Sequence, residues 1–187
     1  MIKYILLAVI AAQLAVPALM IQRYESTLNE GDLYKFKVVP IDPADPFKGR
    51  YVTLNFDIAD WESKYKSDDD FQRKDKAYAS LSVGSDGFAV IDRLYQSPPK
   101  QAYLKVIIRY RAGSTKQNPS PSYAISLPFN RYYAEESKAP KIESRLWRQN
   151  NGAEFSRASV DVRVLDGLGV IEQLYIDGKP VEEYFDQ

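Results

Sequence analysis

Two hydrophobic rhythms divide this chain. Residues 5–21, ILLAVIAAQLAVPALMI, are apolar at every position but Gln13, a run of the length that spans a thin hydrocarbon core. Helical character persists through Gln22, Arg23, Tyr24 and Glu25 to Leu28, where Gly31 is placed to cap the end, so the helix is expected to continue about two turns past the membrane. Pro17 kinks such a helix rather than breaking it, because neighbouring groups in lipid re-satisfy the freed carbonyl. The alternative is a secretory signal peptide, with Lys3 as its basic region and cleavage after Ala18. Leu19, Met20 and Ile21 carry the apolar run past that cut, which favours an uncleaved anchor. The expected organisation is an anchor helix with its extramembrane extension over 1–30 and a β-rich domain over 31–187.

Beyond Gly31 the period changes to two. In 33–39, Tyr34, Phe36 and Val38 fall on one side and Lys35 and Lys37 on the other, the pattern of a half-buried strand. Residues 51–58 repeat it as one strand, Val52, Leu54, Phe56 and Ile58 inward and Tyr51, Thr53, Asn55 and Asp57 outward. Strands at 77–83 and 88–94 flank Gly84-Ser85-Asp86-Gly87, a hairpin loop by length and composition. Leu104, Val106, Ile108 and Tyr110 then alternate with Lys105, Ile107, Arg109 and Arg111, a short strand follows at 123–127, and two more at 160–164 and 170–176 are joined by Asp166-Gly167-Leu168-Gly169. The single helical stripe outside the membrane starts near Pro140, carries Ile142, Leu146 and Trp147, and stops at Gly152. The class is mainly β, an antiparallel sandwich or open barrel with one packing helix, plus an N-terminal transmembrane helix.

Composition narrows the chemistry. The 187 residues include neither histidine nor cysteine, which removes Ser-His-Asp and Cys-His triads, thiolate or imidazole metal sites and disulfides. No metal or cofactor is expected. Acidic and basic side chains number 25 each; with Lys3 set aside, 24 basic and 25 acidic groups remain beyond the span, so nothing electrostatic favours nucleic acid. Asp68-Asp69-Asp70 reads as a solvated face, since a calcium loop spaces its ligands alternately around a glycine.

Pro40, Pro43 and Pro46 stiffen a loop that presents Asp42, Asp45 and Arg50, with Gly49 and Tyr51 at its exit. A preorganised loop loses less entropy when something binds it, so these are candidate binding residues. A second polar-aromatic cluster holds Arg131, Tyr133 and Glu136, and Pro128-Phe129-Asn130-Arg131-Tyr132 weakly echoes Pro46-Phe47-Lys48-Gly49-Arg50-Tyr51. Asp42, Asp45, Glu136 and Glu143 would serve an enzyme if two of them converged in a cleft with separated pKa values.

Gly49-Arg50-Tyr51-Val52-Thr53-Leu54-Asn55-Phe56, preceded by Pro40-Ile41-Asp42-Pro43 and Asp45-Pro46, resembles the signature of the bacterial GDYXXLXY protein family. The hydrophobic N-terminal segment, the Arg-Tyr-Tyr-x-x-Glu stretch at 131–136 and the Leu174-Tyr175-Ile176-Asp177-Gly178 ending follow the family's order. The resemblance implies a membrane-anchored envelope protein of a family often encoded beside multi-span membrane proteins. Arg50 stands where the family name has Asp, and Phe56 where it has its last Tyr, so no acid or metal-ligand role carries over to position 50.

The expectation is therefore a single-pass protein of the bacterial inner membrane. The short leading tail favours its β domain on the periplasmic side, although Lys3 and Arg23 nearly balance across the span. Fourteen tyrosines and eight phenylalanines suit a non-enzymatic interaction module for a multi-span membrane partner. The alternatives are a carboxylate-dependent hydrolase or a carbohydrate- or peptidoglycan-binding module.

Overall fold

In a computed structural model, residues 2–39, 51–59, 64–112, 121–135, 138–148 and 158–185 are described. The apolar run and the segment after it form one helix, α1 (Ile2–Glu30), which continues through Pro17. It is long and apolar enough to cross a membrane, and its apolar stretch is not buried by the rest of the protein. Its last turns are different: Thr27 is buried, and its hydroxyl donates to the Arg23 carbonyl at 2.9 Å. The Gly31 N–H closes the helix on the Thr27 carbonyl at 3.0 Å. Gly31 does so outside the left-handed region expected of a capping glycine. Glycine is required there by space, because a Cβ would collide with the Thr27 carbonyl oxygen and lie 3.0 Å from the Val164 backbone nitrogen.

Among the described residues twelve strands follow, with two short α-helices and a 3-10 turn: β1 (Asp32–Val39), β2 (Tyr51–Thr53), β3 (Asn55–Phe56), the 3-10 turn (Asp57–Ala59), β4 (Tyr65–Lys66), β5 (Lys76–Val83), β6 (Ala89–Tyr95), β7 (Tyr103–Ala112), β8 (Ser122–Ser126), β9 (Arg131–Tyr133), α2 (Ala139–Arg148), β10 (Ser159–Leu165), β11 (Leu168–Ile176), β12 (Lys179–Pro180) and α3 (Val181–Phe185). One sheet has the order β12-β11-β10-β1-β3, a second β4-β8-β7-β5-β6, and β2 pairs with β9. Every strand pairing in these sheets is antiparallel. The Leu54 N–H donates to the Asn130 carbonyl at 2.8 Å, so the β2–β9 ladder carries the first sheet onward past β3. The succession β11, β10, β1, β3, β2, β9 thus curls into a nearly closed barrel.

The strand expected over 51–58 is divided. Val52, Leu54 and Phe56 are buried as the alternation requires, but β2 pairs with β9, β3 pairs with β1, and Asp57–Ala59 turns into a 3-10 helix that leaves Ile58 only half-buried. Tyr110 also leaves the face it shares by alternation with Leu104, Val106 and Ile108. A bulge between Ile108 and Tyr110 shifts the β7–β8 register, which turns the Tyr110 ring outward. The hairpin at 84–87 is present, and the β10–β11 turn uses Asp166 and Gly167 at φ 48° and 80°, the conformation of a two-residue type I′ turn.

The core joins both sheets. Phe36, Phe56 and Phe129 meet edge to face with ring centroids 5.3–6.0 Å apart, beside Leu104, Val106, Val160, Val162 and Leu174 in one buried cluster. The sheets also touch through the Lys105 N–H on the Gly167 carbonyl at 2.9 Å. α2 packs on β2 with Ile142 and Leu146 buried; the Trp147 side chain and Gly152 lie outside the described residues.

Candidate functional site

Alternation on β2 and β9 gives their two faces separate roles. Val52 and Tyr132 turn into the core, while Tyr51, Thr53, Arg131 and Tyr133 share the outer face. Tyr51 stands opposite Tyr133 with ring centroids 6.0 Å apart, and the Arg131 guanidinium lies 4.8 Å from the centre of the Tyr51 ring. That distance is within reach of a cation–π attraction. The outermost ring, Tyr133, is 70% exposed. Of the candidate residues, the structure brings together Tyr51, Arg131 and Tyr133; Asp42, Asp45, Arg50 and Glu136 lie outside the described residues, as does the Glu143 side chain.

This face opens into a cleft of about 700 Å³ whose walls include Tyr24, Phe129, Arg131, Tyr133, Ile171 and Glu172. Tyr24 comes from the part of α1 just beyond the apolar run, so the cleft lies where the helix meets the sheet. Glu172 is paired with Arg163 at 2.8 Å, and Arg163 also donates to the Gly31 carbonyl at 3.2 Å, which pins the helix end to β10.

Beside the cleft is a polar network that sequence reading missed. The Tyr132 hydroxyl donates to one carboxylate oxygen of Glu182 and the Gln173 amide donates to the other. Burial, reinforced by the bond to Glu182, pushes the Tyr132 hydroxyl well above the usual tyrosine range. Partial burial opposes ionisation of Glu182, but the two donors, its own backbone and Lys138 outweigh it and hold the carboxyl below its ordinary value. Nothing local in Val181-Glu182-Glu183 at the start of α3 announces this, since the partners come from β9 and β11.

The acidic run at 68–70 serves as a clasp. Asp68 pairs with Arg93, Asp69 accepts the Gln96 N–H at 2.9 Å, and Asp70 accepts from Arg111 at 3.0 Å and from the Tyr123 hydroxyl at 3.2 Å. Each carboxylate faces a different partner. Among the described residues, no three His, Cys, Asp or Glu side chains gather where they could hold a metal ion.

These parts define a class: a β-rich domain on an N-terminal apolar helix, with an aromatic cleft at their junction. The chain belongs to the GDYXXLXY protein family, whose family model matches residues 13–174. Comparison with curated proteins and with solved structures finds no match. Within the family's signature, Tyr51 stands on the outer face, Leu54 is buried at the passage from β2 to β3, and Phe56 completes the phenylalanine cluster. Gly49 and Arg50 lie outside the described residues.

Proposed function

We propose that this is a single-pass protein of the bacterial inner membrane whose β domain, on the periplasmic side, is a non-enzymatic docking module for a multi-span membrane partner. The observation that carries this reading is the position of the Tyr51–Arg131–Tyr133 face. Arg131 and Tyr133 are exposed, the Tyr51 and Tyr133 rings meet at a tilt across two strands, and Arg131 and Tyr133 border the cleft that Tyr24 lines just past the apolar run. Aromatic and arginine side chains are enriched at the centres of protein interfaces, and a partner in the same bilayer would meet this end of the domain first.

The test is recovery of the full-length tagged chain from native membranes in mild detergent. A multi-span companion should copurify in stoichiometric amount and be lost with Arg131→Ala or Tyr133→Ala. A chain that emerges alone from native membranes overturns the reading. Digestion of the β domain by protease added to spheroplasts checks the orientation, and protection there would place the domain in the cytoplasm.

A further inference from the structure

We infer that the cleft between β9 and β11 takes an extended acidic peptide segment from the membrane partner, hydrogen-bonded along both strand edges; this rests on the docking role proposed above. In an antiparallel pair, residues that exchange backbone bonds alternate with residues whose N–H and C=O turn away. The bond from the Leu54 N–H to the Asn130 carbonyl marks a bonded pair, so with the observed register the backbone groups of Arg131 and Tyr133 turn away from β2. On β11, the two-residue turn makes Leu165–Leu168 a bonded pair, Arg163–Val170 the next, and turns the backbone groups of Gly169 and Ile171 away from β10.

All four residues line the same cleft. Among the described residues β9 pairs with β2 alone, and β11 meets β12 only at Tyr175 and Ile176. β9 and this part of β11 thus each keep one edge without a strand partner among the described residues, and both edges border the cleft. The cleft is held at both ends. Phe129 packs on Gly169, where a Cβ would lie 2.6 Å from the ring's Cδ1, and Tyr132 reaches Gln173 through Glu182.

An extended peptide supplies alternating donors and acceptors to edges on both of its sides, which no side chain or sugar does at this repeat. Charge selects its character. Glu172 is already matched by Arg163, whereas Arg131 has no carboxylate partner among the described residues. Among the described residues the cleft thus presents Arg131, beside the Tyr51 ring, as a positive charge without a carboxylate partner, and an acidic side chain flanked by apolar ones complements it. Tyr24 in the cleft wall ties the segment's origin to the membrane, as the extramembrane part of a chain that spans beside α1.

The experiment is hydrogen exchange on the full-length chain in mild detergent, alone and with the membrane protein that copurifies with it. The amides of Arg131, Tyr133, Gly169 and Ile171 should exchange at least about tenfold more slowly in the complex. Ile171→Pro, which removes an N–H that faces the cleft, should weaken the complex at least about tenfold relative to Ile171→Ala, whose matched melting curve reports folding. Edge amides already slow in the isolated chain, or unchanged by a companion that still binds, overturn the strand site while leaving the docking role intact. Protection arising from a second copy of this chain overturns the assigned occupant. Failure of any companion to copurify overturns the docking role and this inference together.

Discussion

Two polar-aromatic clusters in this molecule use similar residues in opposite ways. Around Tyr123, each carboxylate has a partner: the ring is fully buried against Phe71, its hydroxyl accepts the Phe71 N–H at 3.2 Å, Asp68 and Asp70 pair with Arg93 and Arg111, and Asp69 accepts the Gln96 N–H. Around Tyr51, the rings lie on the surface and Arg131 rests on one of them without a described carboxylate. The acidic run, conspicuous in the sequence, is a loop anchor, whereas the inconspicuous Arg-Tyr-Tyr stretch supplies open surface. Charge density along the chain thus does not tell which groups the fold leaves without a partner among the described residues.

That contrast can be broken by substitution, and the largest effect belongs to neither cluster but to the core behind the open one. Leu54→Ala, at a side chain 1% exposed, should destabilise the full chain by about 2–5 kcal/mol in denaturant titration. A loss below about 0.5 kcal/mol would mean that the outer and inner faces of β2 are exchanged. Tyr123→Phe comes next. It strips the hub of the matched cluster and leaves the Phe71 N–H and the Asp70 carboxylate without that partner, for about 1–3 kcal/mol by the same titration. An unchanged midpoint would reduce the clasp to a surface loop.

A smaller effect concerns pH. Because the Glu182 carboxyl is held low in the folded state, its contribution is present above its ordinary value of about 4.5 and lost as pH falls through the folded value. Tyr132 runs the other way: its raised hydroxyl contributes below about 10, and the contribution disappears as pH rises through the folded value. Melting temperatures across the pH range should therefore decline at both ends, and Glu182→Gln should flatten the acid side. Equal acid-side slopes in the variant and the native chain would remove Glu182 from the account.

The smallest expected change in stability, and the largest in association, is at the open cluster. Tyr133→Ala should shift stability by less than about 0.5 kcal/mol, as is usual for an exposed side chain. The same variant should lose the companion in detergent pull-down. A Tyr133→Ala chain that unfolds would place this ring with Tyr123 among the structural ones and erase the contrast.

Alternation alone made much of the fold legible. The Tyr34, Phe36, Val38 series became β1, the loop at 84–87 became the β5–β6 hairpin, and Ile142 with Leu146 became the buried stripe of α2. In each case one face is buried, and burial of alternate or helically spaced residues is written locally into the chain. The same local pattern concealed the break at Leu54, because Val52 and Phe56 point the same way whether the strand runs on or changes partner. It also concealed the bulge that turns Tyr110 outward and the meeting of Tyr132, Gln173 and Glu182.

Of the candidate site, the sequence by itself determined the residue types and the outward face of Tyr51: Tyr51, Arg131 and Tyr133 were readable as polar-aromatic positions. That Tyr51 stands beside Tyr133, and that Tyr24, Tyr133, Gly169 and Ile171 line one cleft, were decided only by the tertiary structure. The physical reason is directional. Side-chain alternation records which face of a strand is buried, whereas the strand edges carry the same N–H and C=O groups at every non-proline residue and so encode no neighbour.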